Sequence, residues 1–255
     1  MFQNVIVKKP CRAIVDGIST AGLGLPDYEL ALKQHACYVE ALKKCGVSVT
    51  ELPADEAFPD SCFVEDVAVL TRKFAVITNP GAPSRKREVE AIIPVIEKFY
   101  PADRIEFIKA PGTLEGGDIM MVGDHFYIGT SARTNKEGGL QLISLLEKYG
   151  MSGEMVPLSE ILHLKTGLSY LEDNNLLISG EFLKNPVFDK FNKIVVPEEE
   201  AYGANCIWVN GTVLLPAGFP TVQKAVEALG YPVIVVDTSE YRKVDGGLSC
   251  LSLRF

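Results

Sequence analysis

Five strand pairs, each followed by a helix-like stretch and one more apolar strand, predict a five-bladed, pseudo-symmetric α/β propeller of repeated ββαβ-type units. Three observations carry this prediction. The pairs begin near Phe63, Asp118, Ser169, Cys206 and Gly247; short polar turns split the pairs; and no linker or low-complexity segment interrupts the series. An ordinary α/β sheet with an excess of hairpins is the competing architecture, because the spacing is uneven.

In chain order, Val5 to Val7 reads as a strand, Asp27 to Cys45 as a helix and Val47 to Leu52 as a strand. The pair near Phe63 turns at Thr71-Arg72-Lys73 and is followed by a helix over Ser84 to Tyr100 and a strand over Arg104 to Ile108. Ile119 to Val122 and His125 to Gly129 form a hairpin about Gly123-Asp124, trailed by a helix from Asn135 to Tyr149. The next pair turns at Glu172 to Asn175, before a strand over Lys193 to Val196. Asn210-Gly211 is the strongest hairpin signal, since type I′ turns need positive φ at both central residues. A helix over Thr221 to Leu229 and a strand over Val233 to Val236 follow, with Ser84 and Thr221 read as N-caps. The last unit looks incomplete: Leu248 to Leu253 alternates as a strand that Val5 to Val7 could finish, leaving no exposed edge.

The 255 residues are 47% hydrophobic and 23% charged, which suits one large core, so residues 1–255 are read as a single catalytic domain. A net charge of -8 argues against nucleic acid or an anionic membrane as partner and fits a small cationic ligand. The start lacks the layout of a secretory signal, no apolar stretch approaches membrane-spanning length, and six cysteines show no Cys-x-x-Cys pairing. The expectation is a cytoplasmic protein with reduced thiols, with room for a homodimer. His35, His125 and His163 are scattered, so no metal site and no cofactor is expected.

Three segments carry chemistry. Asp245-Gly246-Gly247-Leu248-Ser249-Cys250 places a thiol after paired glycines that would let a substrate approach the main chain; the plain alternative is a buried strand cysteine. Glu115-Gly116-Gly117-Asp118 repeats the acid and paired-glycine theme, and His163 lies in the apolar run Ile161-Leu162-His163-Leu164. A thiol, an imidazole and a carboxylate on separate elements form the set in which a base activates a nucleophile and an acid orients the base.

Further segments carry a resemblance. Phe58-Pro59-Asp60-Ser61-Cys62-Phe63-Val64-Glu65-Asp66 looks like an acidic substrate loop, Ser131-Ala132-Arg133-Thr134-Asn135 like an arginine-bearing segment, and Leu162-His163-Leu164-Lys165 like a histidine motif. Ala204-Asn205-Cys206-Ile207 and Val244-Asp245-Gly246-Gly247 with Cys250 complete the order. Over essentially its whole length the chain resembles the guanidine-modifying superfamily of hydrolases and amidinotransferases, and within it the dimethylarginine dimethylaminohydrolase family, bacterial members above all.

The resemblance implies a five-bladed α/β propeller and hydrolysis of Nω-methylated arginines to citrulline and dimethylamine or methylamine. It implies Cys250 as nucleophile, His163 as acid and then base, and Glu115 as its holder. It further implies that Asp60, Glu65 and Asp66 clamp the guanidinium, which is planar and permanently cationic, and that Arg133 and Arg85 receive the substrate's carboxylate. Ile18, Phe63, Val244 and Asp245 are implied substrate contacts. Taken alone, the acidic loop reads equally as solvated, and Arg85, in a run of charges, as a solvated helix start. The neighbouring chemistries are arginine or agmatine deimination and amidino transfer; a non-catalytic binder of cationic amino acids is the reading from another class.

Overall fold

Short apolar runs become strands and amphipathic runs become helices throughout the computed structural model, which describes residues 1–255. The chain starts with β1 (Asn4–Lys8), α1 (Tyr28–Lys44) and β2 (Ser48–Leu52). Then come β3 (Ala68–Leu70), β4 (Ala75–Ile77), α2 (Val89–Ile96) and β5 (Ile105–Phe107), followed by β6 (Ile119–Val122), β7 (His125–Thr130), α3 (Lys136–Lys148) and β8 (Ser152–Pro157). β9 (Leu168–Tyr170), β10 (Asn175–Ile178), β11 (Asn192–Val195), β12 (Ile207–Val209) and β13 (Thr212–Pro216) lead to α4 (Pro220–Ala228), β14 (Val233–Val236), α5 (Ser239–Arg242) and β15 (Leu253–Arg254). No helix is long and apolar enough to cross a membrane.

The strands form five three-stranded sheets, and contacts divide the chain into two units. The first unit, residues 1–64 with 167–255, holds the sheets β15-β1-β2, β9-β10-β11 and β12-β13-β14; the second, residues 65–166, holds β3-β4-β5 and β6-β7-β8. Every sheet repeats one topology, an antiparallel pair whose second strand runs parallel to a third. Four of the five are the predicted ββαβ unit, and in the fifth the link from β10 to β11 is made by the 3-10 turns Gly180–Lys184 and Pro186–Phe188 instead of an α-helix. As expected, the last sheet joins both chain ends, with Val5 opposite Arg254 and Ile6 opposite Leu253. Asn210 and Gly211 turn with φ of 50° and 93°, the conformation their hairpin requires.

In the second unit, Val76, Ile119, Phe126, Ile128, Leu142 and Leu146 share a core. In the first, Val5, Val7, Tyr38 and Leu42 pack with Leu214 and Leu251, and Leu177, Val213 and Val226 form another cluster. Each such large apolar side chain contributes about 1.5 to 3 kcal/mol by leaving water.

Three local expectations are corrected. Ser84 is no cap: it lies inside the 3-10 turn Pro83–Glu88, begun by a proline with preset φ, and α2 starts only at Val89. Thr221 is no cap either, because Pro220 leads α4 and the carboxylate of Glu200 accepts from Thr221 N (3.0 Å) and Val222 N (2.9 Å). Leu248 to Leu253 is not one strand. Ser249–Leu251 form a 3-10 turn, since Ser249 N donates to Asn205 Oδ1 at 2.9 Å and Cys250 N to Gly247 O at 3.2 Å, leaving neither for a ladder.

Candidate active site

In the second unit, the segment before β3, the turn before β6 and the turn after β8 bring together Asp66, Glu115 and His163. His163 Nε2 lies 2.8 Å from Glu115 Oε2, and both side chains are buried. Gly117 makes the approach feasible: a Cβ there would lie 2.8 Å from His163 Cγ and Nδ1, so only glycine lets the ring rest on that backbone. Gly117 N donates to Asp66 Oδ1 at 2.9 Å, and Asp66 Oδ2 accepts from Arg85 Nη1 at 2.5 Å. Arg85 also bonds both carboxylate oxygens of Glu88.

Arg85 is 4% exposed, so the solvated reading does not hold for it, although Lys86 and Arg87 beside it are exposed. Asp60, Glu65 and Asp66 are also buried, which removes the solvated reading of the acidic loop. Glu65 pairs with Lys165 at 2.5 Å. Arg133 Nη1 reaches Glu115 Oε1 at 3.4 Å, and the same oxygen accepts from Ala82 N at 3.1 Å.

The electrostatics follow from this crowding. Burial alone would strip His163 of its proton, yet the charge of Asp66, the hydrogen bond to Glu115 and the charge of Asp118 push its pKa up to about 9. Burial raises Asp66 and Glu115, but Arg85 and His163 hold the first, and the His163 hydrogen bond chiefly the second, below their ordinary range. The result is an imidazolium between carboxylates at neutral pH. One donor atom each from Asp66, Glu115 and His163 lies within 4.8 Å of the others, the reach of a metal ion. Arg85 on Asp66 and Arg133 on Glu115 already supply positive charge there.

In the first unit, Cys250 occupies the 3-10 turn and is 9% exposed, with Ser249 Oγ 4.0 Å from its sulfur. No disulfide joins any of the six cysteines. The paired glycines admit protein groups rather than open backbone: a Cβ on Gly246 would overlap the Phe63 ring, and one on Gly247 would lie 2.5 Å from the Asn205 amide. Asp60 Oδ1 accepts from Ile18 N at 3.0 Å, and a Cβ on Gly17 would meet both Asp60 and Val244. Asp245, at φ 57°, uses Oδ2 to accept from Thr20 N at 2.6 Å and Thr20 Oγ1 at 3.0 Å. Thus Ile18, Asp60, Phe63, Val244 and Asp245 are interlinked with the segment leading to Cys250. Asp66, Arg85, Glu115, Arg133 and His163 are interlinked in the second unit.

Two residues escaped the sequence reading as site members. Asn205 grips Ser249 N and fills the space beside Gly247; Asp118 accepts from Leu164 N at 3.0 Å and from Ser131 Oγ at 2.7 Å. Each stood inside a quoted motif, but its partners lie far away in sequence.

A family model described as N,N dimethylarginine dimethylhydrolase, eukaryotic, matches residues 27–156. The N(G),N(G)-dimethylarginine dimethylaminohydrolase of Pseudomonas aeruginosa is 58% identical over 255 residues, covering 100% of both chains. A crystal structure of that enzyme, a cysteine-to-serine mutant complexed with citrulline, matches with a TM-score of 0.99 over 100% of each chain. So does a dimethylarginine dimethylaminohydrolase whose histidine-to-glycine variant forms an adduct with S-methyl-L-thiocitrulline, at 58% identity and the same TM-score and coverage. The five repeated sheets and this likeness bear out the five-bladed α/β propeller.

Proposed function

The chain belongs to the dimethylarginine dimethylaminohydrolase family, and from that premise we propose that it hydrolyses Nω-methylated arginine to citrulline and dimethylamine or methylamine, residues 1–255 acting as one catalytic domain. The Cys250 thiolate attacks the guanidino carbon. The tetrahedral adduct collapses with loss of the methylated amine, which leaves with the proton of His163, and a thiouronium remains on the sulfur. The neutral imidazole then takes a proton from water and the hydroxide adds to the same carbon; the carbon–sulfur bond breaks as the new hydroxyl gives its proton to solvent, releasing citrulline and the thiolate. Asp60, Glu65 and Asp66 hold the guanidinium, and Arg85 and Arg133 the carboxylate. A catalytic thiol of this kind belongs in the reducing cytoplasm.

One observation carries the reading: His163 and Glu115, 2.8 Å apart and buried, with the imidazole pKa near 9. An amine needs a proton to leave. A buried imidazolium holds one at neutral pH, and its conjugate base is strong enough to activate water afterwards. The citrulline complex and the thiocitrulline adduct of the relatives agree with both halves of the reaction.

Incubation with asymmetric dimethylarginine, arginine and agmatine, with citrulline and the released amine measured, tests this. Citrulline and dimethylamine in equal amounts are expected. Turnover of arginine with ammonia release and none of dimethylarginine would make the protein a deiminase instead.

A further inference from the structure

Asp118 is 0% exposed, and an ionised carboxylate so placed is tolerated only when its oxygens are occupied by donors. Its donors come from segments that carry functional side chains. Oδ1 accepts from the backbone of Leu164, the residue after His163; Oδ2 accepts from Ser131 Oγ, which itself accepts from Arg133 N at 3.0 Å and Thr134 N at 3.1 Å. Thr134 bonds to Asp118 through its hydroxyl and receives Glu115 N at 3.1 Å. Gly129 leaves the room: a Cβ there would lie 2.8 Å from Asp118 Oδ1.

We propose that Asp118 is a positioning residue that uses its two oxygens to set the acid–base imidazole of His163 and the carboxylate-reading arginine, Arg133, in one frame. The proposal rests on the roles given above to His163 and Arg133. The two arms are separable. Ser131 bears directly on the arginine arm and reaches the imidazole only at a remove, through Thr134 and Glu115, whereas the Leu164 amide serves the imidazole arm alone. Asparagine at 118 could still accept from Leu164, but its amide would point a second donor at hydroxyls whose lone pairs already receive backbone N–H groups. It would also remove a negative charge facing the imidazole.

The test is steady-state kinetics on dimethylarginine across pH, with thermal unfolding of each protein and the imidazole titration of His163 followed by NMR. Asp118→Asn should lower kcat about 10- to 100-fold, the scale of a misplaced catalytic group, and move the alkaline limb and the ring titration to lower pH. Ser131→Ala should raise KM severalfold and erode discrimination against agmatine, with a smaller loss of kcat than Asp118→Asn and the alkaline limb unmoved, because Asp118 keeps its charge and its Leu164 contact. An Asp118→Asn enzyme with parental kcat and limb, or one whose loss merely tracks the unfolded fraction with the limb unmoved, overturns the proposal. Should that variant not fold, Ser131→Ala decides, and an unchanged KM overturns it. A parent enzyme that makes no citrulline sinks the proposed function instead, a result visible before any variant is made; the ring titration still tests the imidazole arm.

Discussion

His35, on α1 in the first unit, and His163, in the second, are 2% and 7% exposed, yet their protons are driven in opposite directions. For His35 burial dominates and the pKa falls to about 4. Its only carboxylate neighbour, Glu51, stands 3.6 Å away and is a third exposed, Lys9 opposes it, and Nε2 has no partner. For His163 burial pulls the same way but loses to Asp66, Glu115 and Asp118, all buried, and the pKa climbs to about 9. Burial alone makes an inert imidazole. Buried carboxylates, which water cannot screen, make an acid.

Replacing each histidine breaks the comparison most sharply. His163→Gly should cost about 10²- to 10⁴-fold in kcat, the usual share of general acid–base catalysis, whereas His35→Gln should leave kcat where it was. Equal losses in the citrulline assay would mean that the contrast in environment carries no chemical difference.

Acid should expose the other side. His35 titrates near 6.5 when unfolded and about 4 when folded, so its contribution to stability is complete above pH 6.5. It declines as pH falls through that value and levels out below about 4, a total on the order of 3 kcal/mol. His163 runs the other way, its contribution complete below 6.5 and lost as pH rises through about 9. Urea midpoints of the parent and His35→Gln at pH 7, 5.5 and 4.5 should diverge in slope; parallel slopes would refute the assignment.

Glu115→Gln removes one of the charges that separate the two sites. The alkaline limb of kcat should shift toward the ordinary histidine range, with a loss of about 10- to 100-fold, smaller than for removing the imidazole itself. A pH–rate profile shows whether it does. Glu51→Gln should do least: the His35 pKa drops slightly further, and stability at pH 7 changes by less than about 1 kcal/mol in thermal unfolding.

The sheets were legible because each depends on local information. Strand periodicity and the turn chemistry of Asn210-Gly211 lie within a few residues of one another, and Val233 to Val236 appears with the predicted bounds. Helix starts were less legible. The acceptor for the first turn of α4 is Glu200, an earlier side chain that no capping pattern at Thr221 reveals. The turn at Cys250 likewise hangs on Asn205, so alternating Leu, Cys and Leu misread as a strand. Motifs picked out Cys250, His163 and Glu115 as candidates. They could not say that Arg85 is buried between Asp66 and Glu88, because a run of charges reads the same in water and in a core.

The sheet that joins β15 to β1 also sets a schedule. Val5 and Arg254 are farther apart in sequence than any other paired strand residues, so this pairing has the greatest loop to close, and contacts of that span form late. The turn bearing Cys250 leads directly into β15. During synthesis, then, a growing chain can complete the sheets of residues 65–166 while Cys250 is still unmade.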